Sequence, residues 1–118
     1  MQREYKVPGN IDDYIYVSQL LQAYGIKTAI EAHRNAKPRC MGSLYWQFND
    51  CWPVVSWSGM DYYHNKKALQ FFVKKAFNDI VVTLTNNEKN ITVQLISDKT
   101  EFVPSQVELK LMDFHGKV

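Results

Sequence analysis

The stretch Gly42-Ser43-Leu44-Tyr45-Trp46-Gln47-Phe48-Asn49-Asp50-Cys51-Trp52-Pro53-Val54-Val55-Ser56-Trp57-Ser58 holds all three tryptophans of a 118-residue chain. Its first part, Met41 to Phe48, is short, aromatic and free of nearby charge. Such a run reads as a strand buried on both faces, of the kind that parallel sheets place behind helices. From Asn49 to Tyr63 the character changes. Pro53, Gly59 and clustered Asn, Asp and Ser interrupt any period, which predicts a long loop. Tyr45, Phe48, Tyr62 and Tyr63 add to the tryptophans, so this one region concentrates the chain's aromatic side chains.

Outward from it lie two helical patterns. Upstream, Asn10 is placed to cap, with Asp12 and Asp13 at the positive end of the helix dipole. Val17, Leu20, Leu21, Tyr24 and Thr28 recur at three- and four-residue spacing, His33 and Arg34 suit the negative end, and Pro38 forbids continuation. A helix is predicted from Asp12 to Arg34. Downstream, Ala68, Leu69, Phe72, Val73 and Ala76 form the apolar stripe of a second helix, Lys66 to Phe77. Lys66, Lys67, Lys74 and Lys75 read there as a solvated basic face.

After Asn78-Asp79 the period becomes two. Ile80–Thr85 and Ile91–Ile96 read as strands about a turn at Asn86–Asn90, and Val107–Met112 as a third, giving antiparallel sheet with one wet face. The fold class is therefore α/β followed by all-β, with two architectures meeting near Asn78. Helix, buried strand, loop and helix make one and a half βα units, which cannot enclose a parallel strand whose edges are both unpaired. With the chain stopping soon after the turn signal at His115-Gly116, both ends are expected to be cut within larger domains.

Composition narrows the function. Hydrophobic residues make up 46% and charged residues 22%, enough apolar surface for a globular core. The longest apolar runs are far too short to span a bilayer, and a formal charge of +2 does not favour a nucleic-acid partner. Met1 is followed by Gln2-Arg3-Glu4-Tyr5-Lys6, in which no apolar leader is visible. Cys40 and Cys51 lack the close spacing of a zinc site, and His33, His64 and His115 fall in three different elements as surface histidines. Asn90-Ile91-Thr92 matches a glycosylation acceptor tripeptide, which is common by chance.

The segments SQLLQAYGIKTAIEAHR, PRCMGSLYWQFNDCWPVVSWSGMDYY and KALQFFVKKAF resemble the C-terminal third of β-mannosidases of glycoside hydrolase family two. The likeness is strong from Tyr14 to Phe77 and weaker through Ile96–Asp98 and LKLMDFHGK. It implies that residues 1–78 are the last part of a (β/α)8 barrel, with Asp12–Arg34 as helix seven, Gly42–Phe48 as strand eight and Lys66–Phe77 as helix eight. Residues 79–118 would open an immunoglobulin-like β-sandwich. It further implies retaining hydrolysis of terminal, non-reducing β-D-mannose residues, with no metal or organic cofactor. The partners would be a β-mannoside oligosaccharide or glycan and the rest of the parent polypeptide.

Barrel sites lie at the C-terminal ends of strands, and the resemblance implies that Trp46 forms the floor of the sugar pocket and precedes a cis peptide to Gln47. An indole face suits the apolar C–H face of a sugar, and covering ~50–100 Å² contributes on the order of 1–2.5 kcal/mol. Asn49, Asp50 and Trp52 are the other candidate substrate-binding residues. The plainer reading of Asn49 and Asp50 is loop anchoring through nearby amides, and of Trp52 and Trp57 packing over the barrel rim. The chemistry needs two carboxylates about 5–5.5 Å apart, which the resemblance places upstream of Met1. Glu31 falls on a helix, Glu88 and Glu101 in turns and Glu108 on an outward strand face, so none substitutes. A different class of function, a non-catalytic carbohydrate-binding module, would use Tyr45, Trp46, Trp52 and Trp57 as a stacking platform. Such modules are usually all-β, and the two helices weigh against it.

Overall fold

A computed structural model describes residues 3–118, so Met1 and Gln2, where the absence of a leader was read, lie outside it. The element order is α1 (Ile11–Asn35), α2 (Ala68–Ala76), β1 (Ile80–Asn87) and β2 (Asn90–Ser97). Asn10 caps α1 as its sequence predicts: its side-chain oxygen accepts from the Asp13 amide at 2.9 Å, and Asp12 and Asp13 occupy the first turn.

Helix α2 starts later than its pattern suggests, at Ala68 rather than Lys66. Its N-cap, Lys67, makes no side-chain capping bond, and the Ala68 amide instead donates to Gln19 Oε1 of α1 at 3.2 Å. One of the donors that every helix start leaves free is thus satisfied by the neighbouring helix.

The two helices pack through Ala23 and Ile30 of α1 against Leu69, Val73 and Ala76 of α2, flanked by Ile26, Tyr45, Ala68 and Phe72. The α2 stripe is the one its spacing predicts. On α1 the buried line runs instead through Ala23, Ile26, Ile30 and Arg34, while Tyr24 and Thr28 face out. Ala23 is fully buried, and a side chain that small lets the two backbones approach where a Tyr would hold them apart.

Two predicted strands are absent among the described residues. Gly42–Phe48 is irregular, bending at Trp46 and Phe48, and forms no ladder; the next residue, Asn49, makes an isolated parallel bridge to Met60. Val107–Met112 is likewise unpaired and exposed. A strand is defined by its hydrogen-bonding neighbours, and neither segment meets one here. The β1–β2 hairpin does form, in antiparallel register from Ile80↔Ser97 to Asn87↔Asn90, and its turn is tighter than predicted, only Glu88 and Lys89 lying between the strands. The face turned toward α1 carries Thr83 and Ile96, with Thr83 Oγ1 donating to Asn35 Oδ1 at 2.7 Å. Val82, Leu84 and Leu95 face solvent. The structure thus contains two helices and a two-stranded sheet, part of the α/β and all-β elements that the sequence predicts.

Helices and hairpin are joined by Arg34, 5% exposed in the last turn of α1. Its guanidinium donates to the carbonyls of Ala76 at 2.6 Å, Asn78 at 2.7 Å and Asp79 at 3.5 Å, and to Asp98 Oδ2 at 2.9 Å. Lys37 pairs with the other oxygen of Asp98. The carbonyls at the end of α2 therefore find donors in a residue of α1. Arg34→Met is expected to lower the unfolding free energy by ~2–3 kcal/mol in urea titrations followed by far-ultraviolet circular dichroism. An unchanged midpoint would show that the clamp contributes nothing.

Candidate functional site

The aromatic segment is held as a loop by its own backbone. The Gly59 amide donates to the Gln47 carbonyl at 3.0 Å, the Asp50 amide to Met60 at 3.1 Å, and the Lys67 amide to Gly59 at 3.0 Å. These bonds bring the two ends of a long excursion together, the geometry of an Ω-loop. The neck is close-packed: a Cβ on the buried Gly59 would lie 2.8 Å from Gln70 Oε1, displacing that side chain, and 3.4 Å from the Phe48 carbonyl.

Inside the loop sits Asp50, 4% exposed. Ser56 Oγ donates to one carboxylate oxygen at 2.6 Å and Ser58 Oγ to the other at 2.7 Å. Lys67 Nζ stands 3.5 Å from the carboxylate and donates to Ser58 Oγ at 2.8 Å. The Ser56 hydroxyl, aided by Ser58 and Lys67, outweighs the opposing effect of burial and holds the Asp50 carboxyl below the ordinary aspartate range. Lys67 is thus not part of a solvated basic face. It turns inward because a carboxylate withdrawn from water needs a counter-charge. Asp61, which receives the Asn65 side-chain and backbone N–H groups, is held low as well.

Around this buried centre the indoles stand outward. Trp46, Trp52 and Trp57 are all largely exposed, and with Phe48, Asn49 and Asp50 they line a cavity of about 620 Å³. The peptide between Trp46 and Gln47 is cis, as the resemblance implies. Of the four candidate binding residues, the cavity brings Trp46, Asn49, Asp50 and Trp52 together. Their availability differs. Trp46 and Trp52 are largely exposed, Asn49 is exposed with its amide donating to the Asp50 carbonyl at 3.3 Å, and the Asp50 side chain is committed internally. Trp57, expected to pack, is exposed, with its carbonyl accepting from Gln22 Nε2 at 2.6 Å.

Sequence reasoning missed the partners of Asp50. The signal available was the Ser56-Trp57-Ser58 alternation, which in extended backbone sets both hydroxyls on one side and the indole on the other. Glu31 is paired with Lys27 along α1 at 3.3 Å, and Glu88 lies in the hairpin turn. Cys40 and Cys51 are not joined. Among the described residues there is no cluster of three or more metal-ligating side chains, and no helix is long and apolar enough to cross a membrane.

Asp50 ionises more readily in the folded chain than in the unfolded one. Its contribution to stability is therefore complete above the unfolded-state pKa of about 3.9 and is lost as pH falls through the lower folded value. Asp50→Asn is expected to flatten the acid limb of stability against pH, measured by urea unfolding below about pH 4. Superimposable wild-type and variant profiles would contradict this account of the carboxylate.

The geometry can be set beside known proteins. No family model matches the chain. β-Mannosidase A of Aspergillus terreus is 31% identical over 113 residues, covering 92% of this chain and 12% of that protein. The β-mannosidase of Bos taurus is 34% identical over 90 residues, covering 65% of this chain and 10% of the relative. Among solved structures, the β-D-mannosidase of Dictyoglomus thermophilum superimposes with a TM-score of 0.77 at 45% identity, over 82% of this chain and 12% of that one. The chain thus spans about 12% of the length of such relatives. In sequence and in fold it is a homologue of a short stretch of the β-mannosidases, the family its aromatic segment resembles.

Proposed function

We propose that this chain is a segment of a retaining exo-β-mannosidase, contributing the floor of the sugar pocket but neither catalytic carboxylate. The observation that carries the reading is the exposed Trp46 ring, opening with Trp52 and Asn49 on a cavity of about 620 Å³, in a chain homologous to β-mannosidases. In this reading residues 1–78 belong to the end of a (β/α)8 barrel and residues 79–118 to the start of a β-sandwich. The unpaired Gly42–Phe48 segment becomes strand eight once neighbouring strands flank it. The reading also gives the unpaired Val107–Met112 segment and the apolar Val82, Leu84 and Leu95 face a sandwich core to join.

The parent's substrate would be a β-mannoside oligosaccharide or glycan. Trp46 supplies an apolar plate for the C–H face of the mannose ring, and Asn49 an amide for a hydroxyl. Among the described residues Asp50 is the only carboxylate lining the cavity, and its two oxygens already receive the Ser56 and Ser58 hydroxyls. A carboxylate with both oxygens so committed, beside Lys67, is read as structural, and the two carboxyl groups of a retaining pair are expected elsewhere in the parent.

The 118-residue chain is accordingly expected not to hydrolyse an aryl β-mannoside. Turnover abolished by replacing any one of its carboxylates with the amide would overturn the reading. In a longer polypeptide carrying this segment, Trp46→Ala is expected to lower kcat/KM for the same substrate by roughly five- to seventy-fold, the kinetic equivalent of losing one stacked apolar face. An unchanged kcat/KM would remove Trp46 from the pocket. Sub-millimolar mannose binding by the 118 residues, followed by tryptophan fluorescence, would favour a carbohydrate-binding module instead.

A further inference from the structure

We infer that Asp50 is a positioning residue for the aromatic rim: it touches no sugar, and its buried carboxylate fixes the 50–58 loop so that Trp52 and Trp57 stand where they flank Trp46. The role rests on the sugar-pocket reading above, but the geometry behind it does not. Asp50 lies at the neck of the loop, its amide bonded to Met60 and its carboxylate to the two serines that bracket Trp57.

Ser56 and Ser58 are gathered to opposite oxygens of one group, and the Ser58 amide donates to Ser56 Oγ at 3.1 Å. The backbone between them has no freedom to turn, and the intervening indole is directed outward. Gln22 of α1 secures the Trp57 carbonyl from outside at 2.6 Å. Lys67, 17% exposed at the start of α2, supplies the counter-charge and also donates to the Ser56 carbonyl at 3.3 Å. The rim is thereby referenced to α2 through the buried anion and Lys67, and to α1 through Gln22. Cys51 to Val55 make no side-chain hydrogen bond to the helices among the described residues, so the turn that carries Trp52 is fixed at its two ends, by Asp50 before it and Ser56 after it. Preorganisation of this kind limits the ordering that a flexible wall would otherwise undergo when ligand binds.

All three tryptophans fall between Trp46 and Trp57, so tryptophan near-ultraviolet circular dichroism reports on the 50–58 loop and the Trp46 beside it. In the 118-residue chain, Asp50→Asn is expected to abolish most of that band while leaving the far-ultraviolet helical signal of α1 and α2 in place. Ser58→Ala should weaken the band partially, and Trp52→Phe and Trp57→Phe assign its components. A native-like band in Asp50→Asn overturns the proposal. Should that variant lose its helical signal too, Ser56→Ala and Ser58→Ala, which keep the carboxylate and Lys67, decide the matter: a weakened band supports the proposal, an intact one overturns it. The readout needs no sugar, so its failure removes the positioning role, whereas failure of the Trp46 kinetics removes the sugar reading.

Discussion

A carboxylate taken out of water must be given donors and a counter-charge, or it will not stay ionised. Around Asp50 that requirement organises the most unusual part of the chain. Two serines on the loop, a lysine at the mouth of α2 and the backbone at the loop neck all converge on it. The result inverts the usual arrangement of a small fold, polar at the centre and aromatic at the rim. Three indoles exposed on one irregular loop would collapse onto the nearest apolar surface were the backbone beneath them soft. The inward polar cluster keeps them apart and available.

A second ionic clamp works at the other end of the helices. Arg34 reaches from α1 to the carbonyls that end α2 and to a carboxylate at the end of β2. The two devices share a logic: each uses a charged group from one element to satisfy the loose backbone or side-chain polar groups of another. Between them runs an apolar seam that is narrow, with Ala23, Ile30, Leu69, Val73 and Ala76 as its buried members. With so small a seam, polar clamps at both ends carry much of the alignment.

How much of this could be read beforehand depended on whether the cause was local. The start and stop signals of α1 at Asn10 and Pro38, the α2 stripe and the β1–β2 pairing follow from caps, periods and turn residues close together in sequence, and these were legible. The Gly42–Phe48 and Val107–Met112 segments have strand composition but no partner here, and pairing is a property of two segments that neither sequence contains alone. The buried line of α1 failed for a related reason. Tyr24 and Ala23 are adjacent, and the need of α2 for a small contact decided which one turned inward. At the site, the aromatic concentration and the identity of Trp46, Asn49, Asp50 and Trp52 were visible. The roles of Ser56, Ser58 and Lys67 were not, because they follow from a carboxylate's demand for donors across 6, 8 and 17 positions.

The Gln19 bond to the start of α2 has a consequence of its own. Nine residues are too few to hold a helix by themselves, and this one begins without a capping side chain of its own. Its first turn is completed only while α1 lies alongside, so nucleation of the shorter element is templated by the longer. The shorter helix should not outlast the longer: α1 is free to form early, and its companion is obliged to wait for docking.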